Sequence, residues 1–105
     1  MTDKILVLTT ASSRDEARRI GRALVERLLA ACVSIVPQVN SIYRWEGEID
    51  EAEECLLIVK TTRAAFERVR DAINELHSYD VPECISVAIE SGSAAYLNWL
   101  GESVK

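Results

Sequence analysis

The chain has 105 residues, 49% of them apolar and 28% charged, which is enough for one domain with a real core, here residues 1–105. Twelve basic against seventeen acidic residues leave a net charge of −5, a field that repels phosphate backbones and argues against a nucleic-acid partner. No apolar run reaches the length of a membrane span, and MTDKILVLTTASS carries too short an apolar stretch for a secretory signal, so a cytoplasmic protein is expected.

In chain order, KILVLTT (4–10) is a short β-rich apolar run and predicts a buried strand. Ser13 and Glu16 have the spacing of a capping box, which opens a helix. Ala17, Ile20, Leu24, Leu28 and Ala31 follow helical spacing, so this helix is expected to end near Ala31. Strand patterning follows. CVSIV puts Val33 and Ile35 on one face and Cys32, Ser34 and Val36 on the other, and Pro37 marks a bulge or a sheet edge. SIYRW, a turn at Gly47 and a return through CLLIVKTT make a long hairpin.

A second helix is predicted from about Arg63 to Leu76, with Phe66, Val69, Ile73 and Leu76 on one face. The segment HSYDVPE (77–83) follows. Pro82 forces Val81 into an extended conformation, so the helix cannot run through it. A strand from Cys84 to Ile89 and a short amphipathic helix over AAYLNWL complete the order β-α-β-β-α-β-α. This is the α+β, ferredoxin-like split βαβ arrangement, with a long central hairpin and a short C-terminal helix. Two helices cover one sheet face, so the hairpin and the last helix need another surface, and a neighbouring subunit is the candidate.

Three cysteines, Cys32, Cys55 and Cys84, separated by 23 and 29 residues, fit neither a disulfide framework nor a zinc motif. Each lies in an apolar, strand-like setting where a thiol acts as a small hydrophobe. The run EGEIDEAEE (46–54) holds six carboxylates but lacks the spacing of a calcium loop, and reads as a solvated hairpin tip. Tyr43 and Trp45, two apart, share one strand face, either against their own helices or at a subunit contact. His77, the sole histidine, stands at the end of the second helix. There it can interact with the terminal carbonyls, or it can serve as a metal ligand.

The register AACVSIVPQVNSIYRWEGEI (30–49), with KTT at 60–62, HSYDVPE at 77–83 and YLNWL at 96–100, resembles the CutA, or divalent cation tolerance, family. The likeness runs from Leu6 to Leu100. It implies a ferredoxin-like fold assembled as a homotrimer whose hairpins cross subunit boundaries. It also implies a response to divalent metal ions, with copper(II) held at His77 and Glu83 together with a first-strand cysteine. Thr9 occupies the place of that thiol, and Ser78 a place where proline is usual. Losing the soft ligand predicts weak copper binding. On this reading His77→Ala removes the binding and leaves the fold intact, while Thr9→Cys tightens it.

A second expectation is a PII-like signalling or small-molecule-sensing trimer, with an intersubunit cleft lined by Tyr43, Trp45, Lys60 and Tyr79. An acylphosphatase-type hydrolase shares the element order but needs a glycine-rich anion loop. Arg14, the nearby arginine, instead falls in the first turn of a capped helix. No nucleophile accompanies His77 in sequence. A non-enzymatic protein with no required cofactor is therefore expected.

Overall fold

The computed structural model describes residues 2–105. Strand β1 spans Lys4–Ala11, helix α1 Arg14–Glu26, β2 Cys32–Trp45, β3 Glu48–Thr62, α2 Phe66–Leu76, β4 Ile85–Ala88 and α3 Ala94–Glu102. A short 3-10 turn, Arg63–Ala65, leads into α2. The sheet is fully antiparallel in the order β2-β3-β1-β4, which is the ferredoxin-like topology.

Alternation on β1 decides the layering. Ile5, Val7, Thr9 and Ala11 are buried, while Lys4, Leu6, Leu8 and Thr10 are only partly so. The buried set joins Leu57 and Val59 of β3, Ala17, Ile20 and Leu24 of α1, and Val69 and Ile73 of α2 in one core. Gly21 lets α1 lie close on the sheet, since a Cβ there would meet Val33 at 3.1 Å. Val33 and Ile35 pack on this core, and Cys32, Ser34 and Val36 take the opposite face, as their alternation requires. Of the thiols, Cys55 is buried and Cys32 and Cys84 are partly so, all three free.

The opposite face is thinly covered. Leu100 of α3 is fully buried, and Gly101 lies against the Lys4 side chain, so α3 shields one end. Ile85 and Val87 of β4, paired with Leu8 and Leu6, remain 53% and 45% exposed. Tyr96 and Trp99 meet in a tilted pair with centroids 5.4 Å apart and also stay open to solvent.

The hairpin outruns the sheet. The pairing of β1 stops at Ala11 with Cys55, so Val39–Trp45 and Glu48–Glu54 have only each other. At about 3.3 Å per residue this arm projects roughly 23 Å, and the molecule is 44 Å long but 25 Å by 23 Å across. The register shifts between Val36 and Val39, around Pro37, which is both a bulge and an edge residue. The arm closes through Glu46 (φ 50°) and Gly47 (φ 83°), a two-residue turn with both angles positive, the hand that matches strand twist.

Helix α1 is shorter than its apolar spacing predicts. It stops at Glu26 because Leu28 turns left-handed (φ 61°), and the Leu29 and Ala30 amides both donate back to the Leu24 carbonyl. No glycine or asparagine announces this stop, so spacing alone carried the expected helix on to Ala31. Leu28 itself faces solvent.

Candidate functional site

Helix α2 ends where HSYDVPE begins, and His77 is its extended C-cap. The imidazole is fully enclosed, with no exposed side-chain surface. Its Nδ1 accepts the Tyr79 amide hydrogen at 3.1 Å. An amide can only donate, so Nδ1 carries the lone pair, and Nε2–H donates to the Thr10 carbonyl at 2.6 Å. That carbonyl has a reason to need a partner. Ile89 donates to Lys4, so by antiparallel alternation every second carbonyl along β1 faces β4, and Thr10 lies beyond the end of β4. The ring completes a ladder position that the short strand leaves open.

Glu16 fixes the same loop from the other side. Its Oε2 accepts from the Ser78 amide at 2.8 Å, and its Oε1 from the Ser12 amide at 3.1 Å and hydroxyl at 2.9 Å. The Ser13 hydroxyl caps the Glu16 amide at 3.1 Å, as the capping pattern requires. Burial alone would raise the Glu16 carboxyl. The hydrogen bonds from Ser78 and Ser12 outweigh it and hold the group at about 2. Arg19 donates to the Leu76 carbonyl at 3.3 Å and closes the end of α2.

The loop then presents Tyr79 to a cleft. The Tyr79 ring leans on His77 with centroids 4.6 Å apart, and its hydroxyl donates to Glu54 Oε2 at 2.7 Å. The cleft, ≈ 780 Å³, runs along the arm on the side of this loop, and Tyr43, Trp45, Glu54, Tyr79 and Glu83 all line it. Glu54 is only 8% exposed, so one carboxylate of the acidic run belongs to the cleft and not to a solvated tip. Burial, then the hydrogen bond to Glu54, push the Tyr79 phenol up. Burial and the Glu54 charge likewise push the Glu83 carboxyl up from its usual range.

Four of the residues singled out by sequence thus meet here: Tyr43, Trp45, Tyr79 and Glu83. Lys60 does not join them within the chain. It lies six residues along β3 from Glu54, roughly 20 Å at strand spacing, and its Nζ bonds Ser34 Oγ at 3.2 Å beside Cys32. Thr9 points into the helix-covered core, while its neighbour Thr10 reaches the cleft, so a thiol at 9 would lie on the core side of β1. Sequence reasoning missed Glu16 as the anchor of the loop and Glu54 as a cleft residue. Glu54 alternates with Leu56 and Ile58 on one face, a signal that the surrounding charge obscured.

The arrangement does not fit copper(II) at His77. Both ring nitrogens are committed, and the described residues contain no group of three His, Cys, Asp or Glu side chains able to hold a metal ion.

Comparison with known proteins gives a consistent result. The family model for the CutA1 divalent ion tolerance protein matches residues 5–103. A Thermus thermophilus protein named divalent-cation tolerance protein CutA is 50% identical over 98 residues, covering 93% of this chain and 95% of that one. A solved structure of the Cut A1 divalent cation tolerance protein from Thermus thermophilus superposes with a TM-score of 0.95 at 48% identity, over 97% of this chain and 99% of that one. Arabidopsis thaliana has a chloroplastic CutA protein 41% identical over 96% of this chain, which spans only 56% of that longer protein. A structure described as the periplasmic divalent cation tolerance protein CutA of Archaeoglobus fulgidus gives a TM-score of 0.94 at 40% identity, over 97% and 99% of the two chains. With its fold, its motifs and nearly its whole length matched, the chain belongs to the CutA family of divalent-cation tolerance proteins.

Proposed function

We propose that the chain acts without catalysis, as a cytoplasmic homotrimer, in the response to divalent metal ions. Family membership supports the metal response. The thinly covered sheet face is the observation that carries the assembly. Ile85, Val87, Val36, Tyr96 and Trp99 are each more than a third exposed, and exposed apolar side chains gathered on one side of a domain mark interaction surfaces. The projecting arm leaves Ile42 and Ile49 about 70% exposed within the chain. The sole histidine holds the loop through both nitrogens and has no free nitrogen for general base work, which favours a non-enzymatic role.

The test is genetic and physical together. Cells lacking the chain should lose tolerance to raised copper(II), and the wild-type gene should restore it. A Val87→Asp variant, which puts a charge on the open face, should run as a monomer and fail to restore tolerance. Unchanged tolerance in the deletion strain contradicts the metal role, and full rescue by a monomeric variant contradicts the need for assembly.

The cleft supports a second reading, small-molecule sensing of the PII-like kind. Its volume falls within the range of ligand sites, and its walls come from β1, β2, β3 and the loop after α2.

A further inference from the structure

We infer that Lys60, on the open sheet face, pairs in the assembled protein with a carboxylate carried by a second copy of the chain. This rests on the assembly reading above and names one of its contacts. Strand β3 alternates, so Leu56, Ile58 and Lys60 point away from the helix-covered core, while Leu57 and Val59 are fully buried in it. Lys60 is flanked across the sheet by Cys32 and Leu6, and Val87 follows beyond Leu6. An ammonium group thus stands among apolar side chains, on the face whose exposed Ile85 and Val87 call for a cover.

Within its own chain that ammonium finds only neutral partners. Its Nζ donates to Ser34 Oγ at 3.2 Å and lies 3.8 Å from Cys32 Sγ. No Asp or Glu pairs with it among the described residues. Lys4, at the end of the same face, shows the contrast, since its ammonium is paired with Asp3. Solvent can serve Lys60 as long as the face is open. Once another copy covers the face, water leaves, and a desolvated ammonium without a counter-ion is costly.

The surroundings select a carboxylate of the covering copy over a free anion. One hydroxyl and one thiol make a poor cradle for an ion that must also give up its freedom on binding. A side chain already carried by the covering copy loses far less. The chain has seventeen acidic residues against twelve basic ones, so the surface that approaches Lys60 comes from a molecule with carboxylates in excess.

A carbodiimide, which joins an amine to a carboxylate in contact with it and leaves no spacer, tests this on the assembled protein. Treatment should give a covalent dimer on a denaturing gel, and mass spectrometry of that band should show Lys60 bonded to an Asp or Glu. Lys60→Met should lose the bond and dissociate at a protein concentration at least tenfold higher than wild type, while Lys60→Arg, which keeps the charge, stays close to wild type. The sign matters, because a covered ammonium with no partner would make Lys60→Met assemble more tightly. Equal or tighter assembly of Lys60→Met overturns the inference, and so does a dimer band without a Lys60 bond. A wild-type protein that sediments as a monomer overturns the assembly reading itself, so the two failures are told apart.

Discussion

The two faces of the sheet differ more than any other two regions of the molecule. On the helix-covered face Val7, Leu57, Val59, Ile20 and Ile73 are entirely buried. On the other face Ile85 and Val87 are about half exposed, and on the arm that continues from it Ile42 and Ile49 are about 70% exposed. One face is complete within a single chain, whereas the other carries core-type residues with nothing of this chain to bury them. Residues of equal hydrophobicity should therefore fail in different ways, the first set by unfolding and the second by dissociation.

Trp45→Ala gives the largest expected effect, about 3–5 kcal/mol, the usual cost of truncating a large enclosed aromatic. Since Trp45 is half exposed in the single chain, that loss requires burial by a neighbour. It should appear as a melting temperature that depends on protein concentration. Leu57→Ala, on the complete face, should cost about 2–5 kcal/mol with the assembly intact. A Trp45→Ala protein with an unchanged melting curve would place that ring in solvent and erase the distinction.

The loop network should dominate acid behaviour. Glu16 has its carboxyl held below its ordinary 4.5, at about 2, by the Ser78 and Ser12 hydrogen bonds. A depressed carboxyl contributes stability that is full above the unfolded value and lost as pH falls toward the folded one. The loss should therefore run from about pH 4.5 down to about 2, to a total of about 3 kcal/mol. Denaturant titrations across that window should show the slope, and Glu16→Gln should flatten it. An equal slope in the variant would assign the acid sensitivity to other carboxylates.

His77→Ala is next, at about 2–3 kcal/mol, because it strands the Thr10 carbonyl and the Tyr79 amide without partners. The enclosed ring makes a stability cost the expected outcome, where the sequence reading anticipated an intact fold. Nitrogen-15 chemical shifts of the imidazole should report the tautomer protonated at Nε2. A ring protonated at Nδ1 would contradict the hydrogen-bond assignment. The smallest effect is a gain. The Thr9 hydroxyl is fully buried and has no hydrogen-bond partner among the described residues, so Thr9→Val should stabilise by about 1 kcal/mol. A loss on thermal melting would mean that the hydroxyl has a partner after all.

The contrast between regions also explains what could be read from the sequence. Period-two alternation in KILVLTT and CVSIV, the Ser13 cap and the Pro37 bulge are local signals, and each predicted its element. Leu28 shows the limit. Its left-handed turn is set by the amides of Leu29 and Ala30 returning to Leu24, and not by a residue with a turn preference. The cleft was half legible. Tyr43 and Trp45 share a face by strand geometry, and Pro82 marks the loop opposite them. The burial of Glu54 and the role of Glu16 depend on Tyr79 and Ser78 arriving from distant positions in the chain, which no window of sequence contains. His77 was legible as a helix end, but its commitment to Thr10 depends on where β4 stops.

Sedimentation equilibrium of the purified protein at micromolar concentration tests the central claim, that the open sheet face is completed by other copies of the chain. The account predicts a single species of about three times the 11.7 kDa chain mass, with no monomer detected. A species of 11.7 kDa across the concentration range would mean that the exposed apolar face is tolerated by a solitary chain, and would contradict the account.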